Sequence, residues 1–221
     1  MTWHREIVDI FDHANVQLIN TVLPEGDWRA IFPKAEPHDY TVFLRAVAQY
    51  AAFCNEFDQD TYPPADGWTL DHFCKRELST LFAHIAYETG DKSNWKTGLS
   101  LDQEEGCPGD DQCSYNEGRT PLGNLFEAVN GQKYYGRGHI HLRWNGKYGQ
   151  FSKAFRDDLY NGKDFLLEEP ARILKDPLMM YTSALWLYMT PHFPKPSAHD
   201  VITGKFRPNK TDLTYGASND F

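Results

Sequence analysis

The sequence predicts a mainly α-helical protein with one short β segment and long loops that form a cleft. Three observations lead there. Apolar residues recur at helical spacing in several segments, one run alternates with period two, and a stretch of more than forty residues has little periodicity at all. A length of 221 residues suits one domain with a proper core, here taken as 1–221 in two lobes.

The first helix is expected over 3–22, with Ile7, Ile10, Phe11, Ala14, Val16 and Leu18 on its apolar side. A second, about 39–54, carries Phe43, Val47, Tyr50, Phe53 and Cys54. A third holds "LFAHIAYETG", capped by Thr69 or Asp71 and broken at Thr89-Gly90. Leu78, Leu81, Phe82 and Ile85 form its buried stripe, whereas Glu77, His84 and Glu88 share another face. Glu88 stands in the last turn, at the negative end of the helix dipole. That position and partial burial should raise its pKa, as a general acid requires.

From Thr89 to Lys133 lies the aperiodic stretch. Structureless loops beyond about 15 residues are uncommon in compact domains and are usually functional. In "YYGRGHIHLRWNG", alternation puts His139, His141 and Arg143 on one side of a short strand and Ile140, Leu142 and Trp144 on the other. The glycines flanking Arg137 allow a tight turn or a close approach. His139 and His141 lack a third ligand at diagnostic spacing, so a polar cleft wall is the better reading than a metal site. Residues 177–190, "PLMMYTSALWLYMT", form the clearest helix: Asp176 caps it, Pro177 opens it and Pro191 ends it. Being apolar nearly all round, it should be the central buried helix. Asn209-Lys210-Thr211 is a glycosylation sequon.

A formal net charge of −9 and the lack of a basic stripe argue against nucleic acid and against strongly anionic polymers. No apolar run is long enough for a membrane span, which argues against a membrane role. Six Trp and twelve Tyr suit a cleft for sugars. Four cysteines allow three pairings. The spacing favours Cys54–Cys74 around a long loop and Cys107–Cys113 around a Pro-Gly turn, and so an oxidising compartment. The start "MTWHREIVDIFDHANVQ" has no apolar signal core, so a mature secreted chain is expected.

"CKRELSTLFAHIAYETG", "YYGRGHIHLRWNGKYG", "DPLMMYTSALWLYMTP" and "SAHDVITGKFRP" occur in the order and rough spacing of family-19 glycoside hydrolases, the plant-type chitinases, which this chain resembles from about 74 to 208. The resemblance implies a two-lobed, lysozyme-like helical fold around a deep cleft. It also implies an endochitinase that hydrolyses β-1,4-linked N-acetylglucosamine polymers with inversion and works as a monomer without a cofactor or metal. By position, Glu88 is then the general acid and Glu104 the general base, with Glu105 its neighbouring alternative. Tyr135, His141, Arg143, Asn145 and Lys147 lie along the substrate.

The chain departs from the family in ways that matter. Tyr87 replaces the His before the acid, His139 a Pro, His141 a Gln, Arg143 a Ser beside the attacking water, and Lys147 an Asn. The chain also stops at "TYGASNDF", where relatives continue into further cleft residues. These departures would equally suit a non-catalytic glycan-binding protein of the same fold. A peptidoglycan lysozyme is less well matched, because bacterial walls are usually anionic.

Overall fold

The computed structural model describes residues 10–35, 39–91, 93–118, 120–155, 165–192 and 194–214. Ten helices follow one another among them: α1 (Ala14–Val22), α2 (Glu25–Ile31), α3 (Tyr40–Val47), α4 (Leu70–Thr89), α5 (Pro121–Leu125), α6 (Asn145–Ala154), α7 (Phe165–Glu168), α8 (Pro177–Met189), α9 (Ala198–Ile202) and α10 (Lys210–Thr214). Among the described residues β structure is limited to isolated bridges.

α8 is the centre, as its composition requires. Met179, Met180, Tyr181, Ala184, Leu185 and Trp186 are all buried, and Asp176 accepts a hydrogen bond from the Leu178 N–H at 2.9 Å. Tyr181 packs against Phe43 of α3, ring centroids 5.6 Å apart. Each fully buried aromatic or aliphatic side chain of this kind contributes roughly 1.5–3 kcal/mol. α4 lies alongside. Its stripe of Leu78, Leu81, Phe82 and Ile85 is buried as expected, and Thr69, rather than Asp71, caps it by accepting from the His72 N–H at 3.3 Å.

Two helices differ from the expected spans. Residues 3–9 lie outside the described residues, and a 3₁₀ turn at Ile10–Asp12 precedes α1. The helical phase restarts at Ala14, so the buried face becomes Asn15, Val16 and Ile19, while Phe11 is exposed. Asn15 then donates from Nδ2 to the Val47 and Tyr50 carbonyls, tying α1 to the end of α3. The second helix stops at Val47 and continues as turns to Asn55, although Tyr50, Phe53 and Cys54 stay buried. Cys54 takes a left-handed φ of 57° and directs its N–H to the Glu77 carboxylate at 2.8 Å, a partner outside its own helix.

Both expected disulfides are present, Cys54–Cys74 and Cys107–Cys113, with Cα separations of 4.3 and 5.3 Å. Inside the first loop, Phe57 stacks on Phe73 at 4.3 Å and Tyr62 and Trp68 close around it. The stretch 89–133 is not structureless. Short turns at Trp95–Thr97, Cys107–Gly109 and Asp111–Ser114, and then α5, divide it. Its polar residues supply local acceptors: Asp110, Asn116 and Thr120 each take a backbone N–H two or three residues ahead.

Glu77 is buried on the face it was expected to share with Glu88. It is bonded to His199 Nδ1, while His199 Nε2 reaches Glu56 at 3.1 Å. Burial disfavours the imidazolium, but Glu77 and then Glu56 outweigh it and raise the His199 pKa above 6.5. Such a group holds its proton more tightly when folded, so its stabilisation is full below about 6.5 and is lost as pH rises through the raised folded value. Removing one partner of a buried pair typically costs about 3–5 kcal/mol. His199→Gln should therefore lower the thermal midpoint at pH 6 and flatten its decline between pH 6 and 9, as followed by circular dichroism.

Candidate active site

Glu88 stands in the last turn of α4, just before Gly90. A Cβ added at Gly90 would lie 2.8 Å from the Ala86 carbonyl and 2.9 Å from the Gly98 N–H, so the chain can fold back here only with glycine. The buried Thr89 fastens that return: its Oγ1 accepts from the Leu99 N–H at 2.8 Å and its carbonyl from the Leu101 N–H at 2.9 Å. Glu104 follows three residues later.

The segment expected as a strand is a tight hairpin. The Leu142 N–H donates to the Arg137 carbonyl at 2.8 Å, and Arg137 also bridges Gln103. Gly138 (φ 77°) and His141 (φ 46°) turn the chain, which destroys the two-sided alternation of a strand. His139 therefore goes into the core against Tyr181, centroids 4.2 Å apart, and His141 goes to Glu88. The two histidines do not share a face.

The hairpin carries Arg143 between two carboxylates. Arg143 Nη2 donates to Glu88 Oε2 at 3.0 Å, Nη1 to Glu88 Oε1 at 3.4 Å and Nε to Glu104 Oε2 at 3.3 Å. His141 Nδ1 lies 3.1 Å from Glu88 Oε2, and because a carboxylate only accepts, that nitrogen carries the proton. Glu104 also accepts from Tyr115 Oη at 2.8 Å and from the Gly136 N–H at 3.0 Å. Glu105, the alternative to Glu104, is exposed on the adjoining turn.

These contacts overturn the expected titration of Glu88. Burial does push its carboxyl up, but hydrogen bonds and charge from His141 and Arg143 outweigh that and hold it at about 2. Glu104 is lowered too: burial opposes, and the Gly136 amide, Tyr115 and Arg143 prevail. In this arrangement both groups are carboxylates near neutrality, joined by one cation.

The other expected substrate residues divide. Asn145 is fully buried, and its amide accepts from the Glu117 N–H and donates to the Phe126 carbonyl, both at 2.7 Å. Tyr135 is buried beneath Arg137, whose guanidinium lies 3.6 Å from the ring centroid. Both are buried in this structure, held by contacts within the fold. Lys147 does line an open concavity of about 840 Å³, with Glu117, Trp144, Gln150 and His192. Burial lowers the Lys147 pKa against the opposing charge of Glu117. Trp144 is exposed there and meets Tyr115 edge-on at 5.0 Å, so the concavity adjoins the carboxylates. Tyr115 and Gly136 escaped the sequence reading, because a left-handed tyrosine and a donating glycine amide leave no periodic trace.

A Cβ added at Gly136 would sit 2.7 Å from His141 Cβ and 3.2 Å from Arg143 Nε. Gly136→Ala should thus cost about 1–3 kcal/mol in urea unfolding, through overpacking. The depressed Glu88 value gives a second expectation. A carboxyl at about 2 against an ordinary 4.5 stabilises fully above about 4.5 and loses its contribution as pH falls towards 2. Between pH 5 and 2.5 the urea midpoint should fall less in Glu88→Gln than in the unaltered protein.

Comparison with known proteins agrees with this architecture. The profile of the glycoside hydrolase 19 family, described as chitinase class I, matches residues 29–221. Inactive chitinase-like protein 2 of Hevea brasiliensis is 31% identical over 179 residues, covering 81% of this chain and 46% of that protein. Endochitinase 4 of Solanum tuberosum is 32% identical over 212 residues, covering 92% and 61%. The chain spans about half the length of the curated relatives it matches. Among solved structures, chitinase C from Streptomyces griseus HUT6037 superposes with a TM-score of 0.62 at 25% identity, covering 83% of this chain and 74% of that one. The class IV chitinase from Zea mays, at 22% identity and a TM-score of 0.53 over 78% and 72%, bears on the fold alone. The fold is thus the helical, lysozyme-like one of these chitinases. A match from residue 29 to the last residue, with relatives above 30% identity over most of the chain, places this protein in the glycoside hydrolase 19 family.

Proposed function

We propose that the protein is a chitinase that cuts β-1,4-linked N-acetylglucosamine polymers with inversion, Glu88 acting as general acid and Glu104 as general base. The observation that supports this most is the convergence of these two carboxylates on one guanidinium, one from a helix and the other from a loop. That sharing limits their separation to two hydrogen bonds and the width of the fork. An inverting glycosidase needs its acid and base roughly 6.5–9.5 Å apart, with room for a water.

In the reaction, Glu88 gives its proton to the glycosidic oxygen as the bond to the anomeric carbon breaks. A water held by Glu104 attacks that carbon from the opposite face and loses its proton to Glu104. The concavity beside Trp144 and Lys147 offers an aromatic face and a hydrogen-bond donor for neighbouring acetamido sugars. The two disulfides fit secretion into an oxidising compartment, where the protein acts as a monomer.

A second reading has a specific observation behind it. A Glu88 held at about 2 is no proton donor near neutrality, and two relatives from Hevea brasiliensis bear the name inactive chitinase-like protein. On that reading the protein binds glycan and does not cut it.

N-acetylglucosamine hexamer followed by proton NMR separates the two. Hydrolysis should release fresh α-anomer, fall at least about a hundredfold in Glu88→Gln and Glu104→Gln, and persist in Glu105→Gln, on the usual size of a lost acid or base. Binding of the hexamer without any cleavage would rule out the hydrolase.

A further inference from the structure

Arg143 is the cation that both carboxylates share, and its position is built rather than casual. His141 and Trp144, the non-glycine residues on either side of Leu142 and Arg143, hold left-handed φ values of 46° and 72°. They fix the direction in which the hairpin presents the side chain. Gly136 leaves the space beneath it, since even a methyl group there would approach Arg143 Nε to 3.2 Å. The fork uses both of its edges: Nη1 and Nη2 face Glu88, and Nε faces Glu104. The gap between the two acids is therefore filled by protein.

We propose that Arg143 is a built-in occupant of the catalytic gap, lying where the glycosidic oxygen and the attacking water of a bound glycan would have to sit, so that the glycan must displace it before it can be cut. This rests on the reading of Glu88 and Glu104 as acid and base. The guanidinium is well suited to such a role. It is part-exposed, at 29% of its side-chain surface, and it sits on a long stem that can swing towards solvent without moving the hairpin.

Displacement changes the electrostatics as well as the space. The groups facing Glu88 are His141 and Arg143 from the hairpin, and Glu104 stands beyond the guanidinium with Tyr115 bonded to it. With Arg143 in place, Glu88 has an opposite charge as its neighbour. Without it, His141 still bonds to Glu88, but the hydrogen bonds and charge of the guanidinium are gone and Glu104 adds a like charge, so the Glu88 pKa rises. One movement thus clears room for a water and raises the Glu88 pKa towards that of a proton donor. A carboxyl titrating at about 2 is protonated in roughly one molecule in ten thousand at pH 6, and each unit of upward shift multiplies that fraction about tenfold.

Arg143→Ser removes the occupant, and Arg143→Gln removes the charge while keeping much of the length. Both would be studied as the full chain with ¹³C-carboxyl-labelled glutamate, the Glu88 resonance being identified by its loss in Glu88→Gln. The Glu88 midpoint should rise by more than one pH unit in each, and hydrolysis of N-acetylglucosamine hexamer by Arg143→Ser at pH 6 should rise at least about tenfold. If Arg143→Ser does not fold, the midpoint in Arg143→Gln decides. An unmoved midpoint overturns the inference. So does a raised midpoint accompanied by slower cleavage, because Arg143 would then serve the chemistry rather than obstruct it. A raised midpoint with no cleavage by the unaltered protein or by either variant upholds the occupant and removes the hydrolase reading instead.

Discussion

A carboxylate taken out of water must find a cation, and α4 imposes that demand twice. Glu77 and Glu88 lie on one side of the same helix, three turns apart, the first under the core and the second at the edge of the cleft. Each recruits its partner from far along the chain, His199 for Glu77 and His141 with Arg143 for Glu88. The two pairings tie α9 and the 136–144 hairpin to the same helix. The cleft wall and the back of the core are thereby positioned by one element and one electrostatic rule.

The periodic parts of this arrangement were legible in the sequence. α8 shows itself by being apolar all round, and α4 by its stripe and its glycine stop. The two disulfides could be read as well, and so could Glu88 and Glu104 as carboxylates that the fold brings to one place. What could not be read depends on backbone handedness. Alternation across 139–144 looks the same in a strand and in a hairpin whose His141 has crossed to the left-handed region. Buried amides were equally silent: Asn15 and Asn145 resemble polar surface residues until the carbonyls that they bridge are known. Asn145 and Tyr135, expected beside substrate, are both buried in this structure.

The direction of the Glu88 shift was lost differently. The helix dipole and burial were considered for it, and burial does act in the expected sense. Hydrogen bonds and charge from His141 and Arg143 act the other way and together outweigh the desolvation. His141 and Arg143 are two of the positions at which this sequence departs from the pattern it resembles. They are the two side chains of the hairpin that contact Glu88.

The hydrogen bond from the Cys54 amide to Glu77 has a further consequence. Cys54 is also half of the Cys54–Cys74 disulfide, so the segment that solvates a buried charge is the one the covalent bond restrains. Reduction would release more than a loop: it would free the donor on which a buried anion relies, next to the histidine that neutralises it. Oxidation and internal charge balance are thus coupled, and the fold carries its own test of the compartment in which it was made.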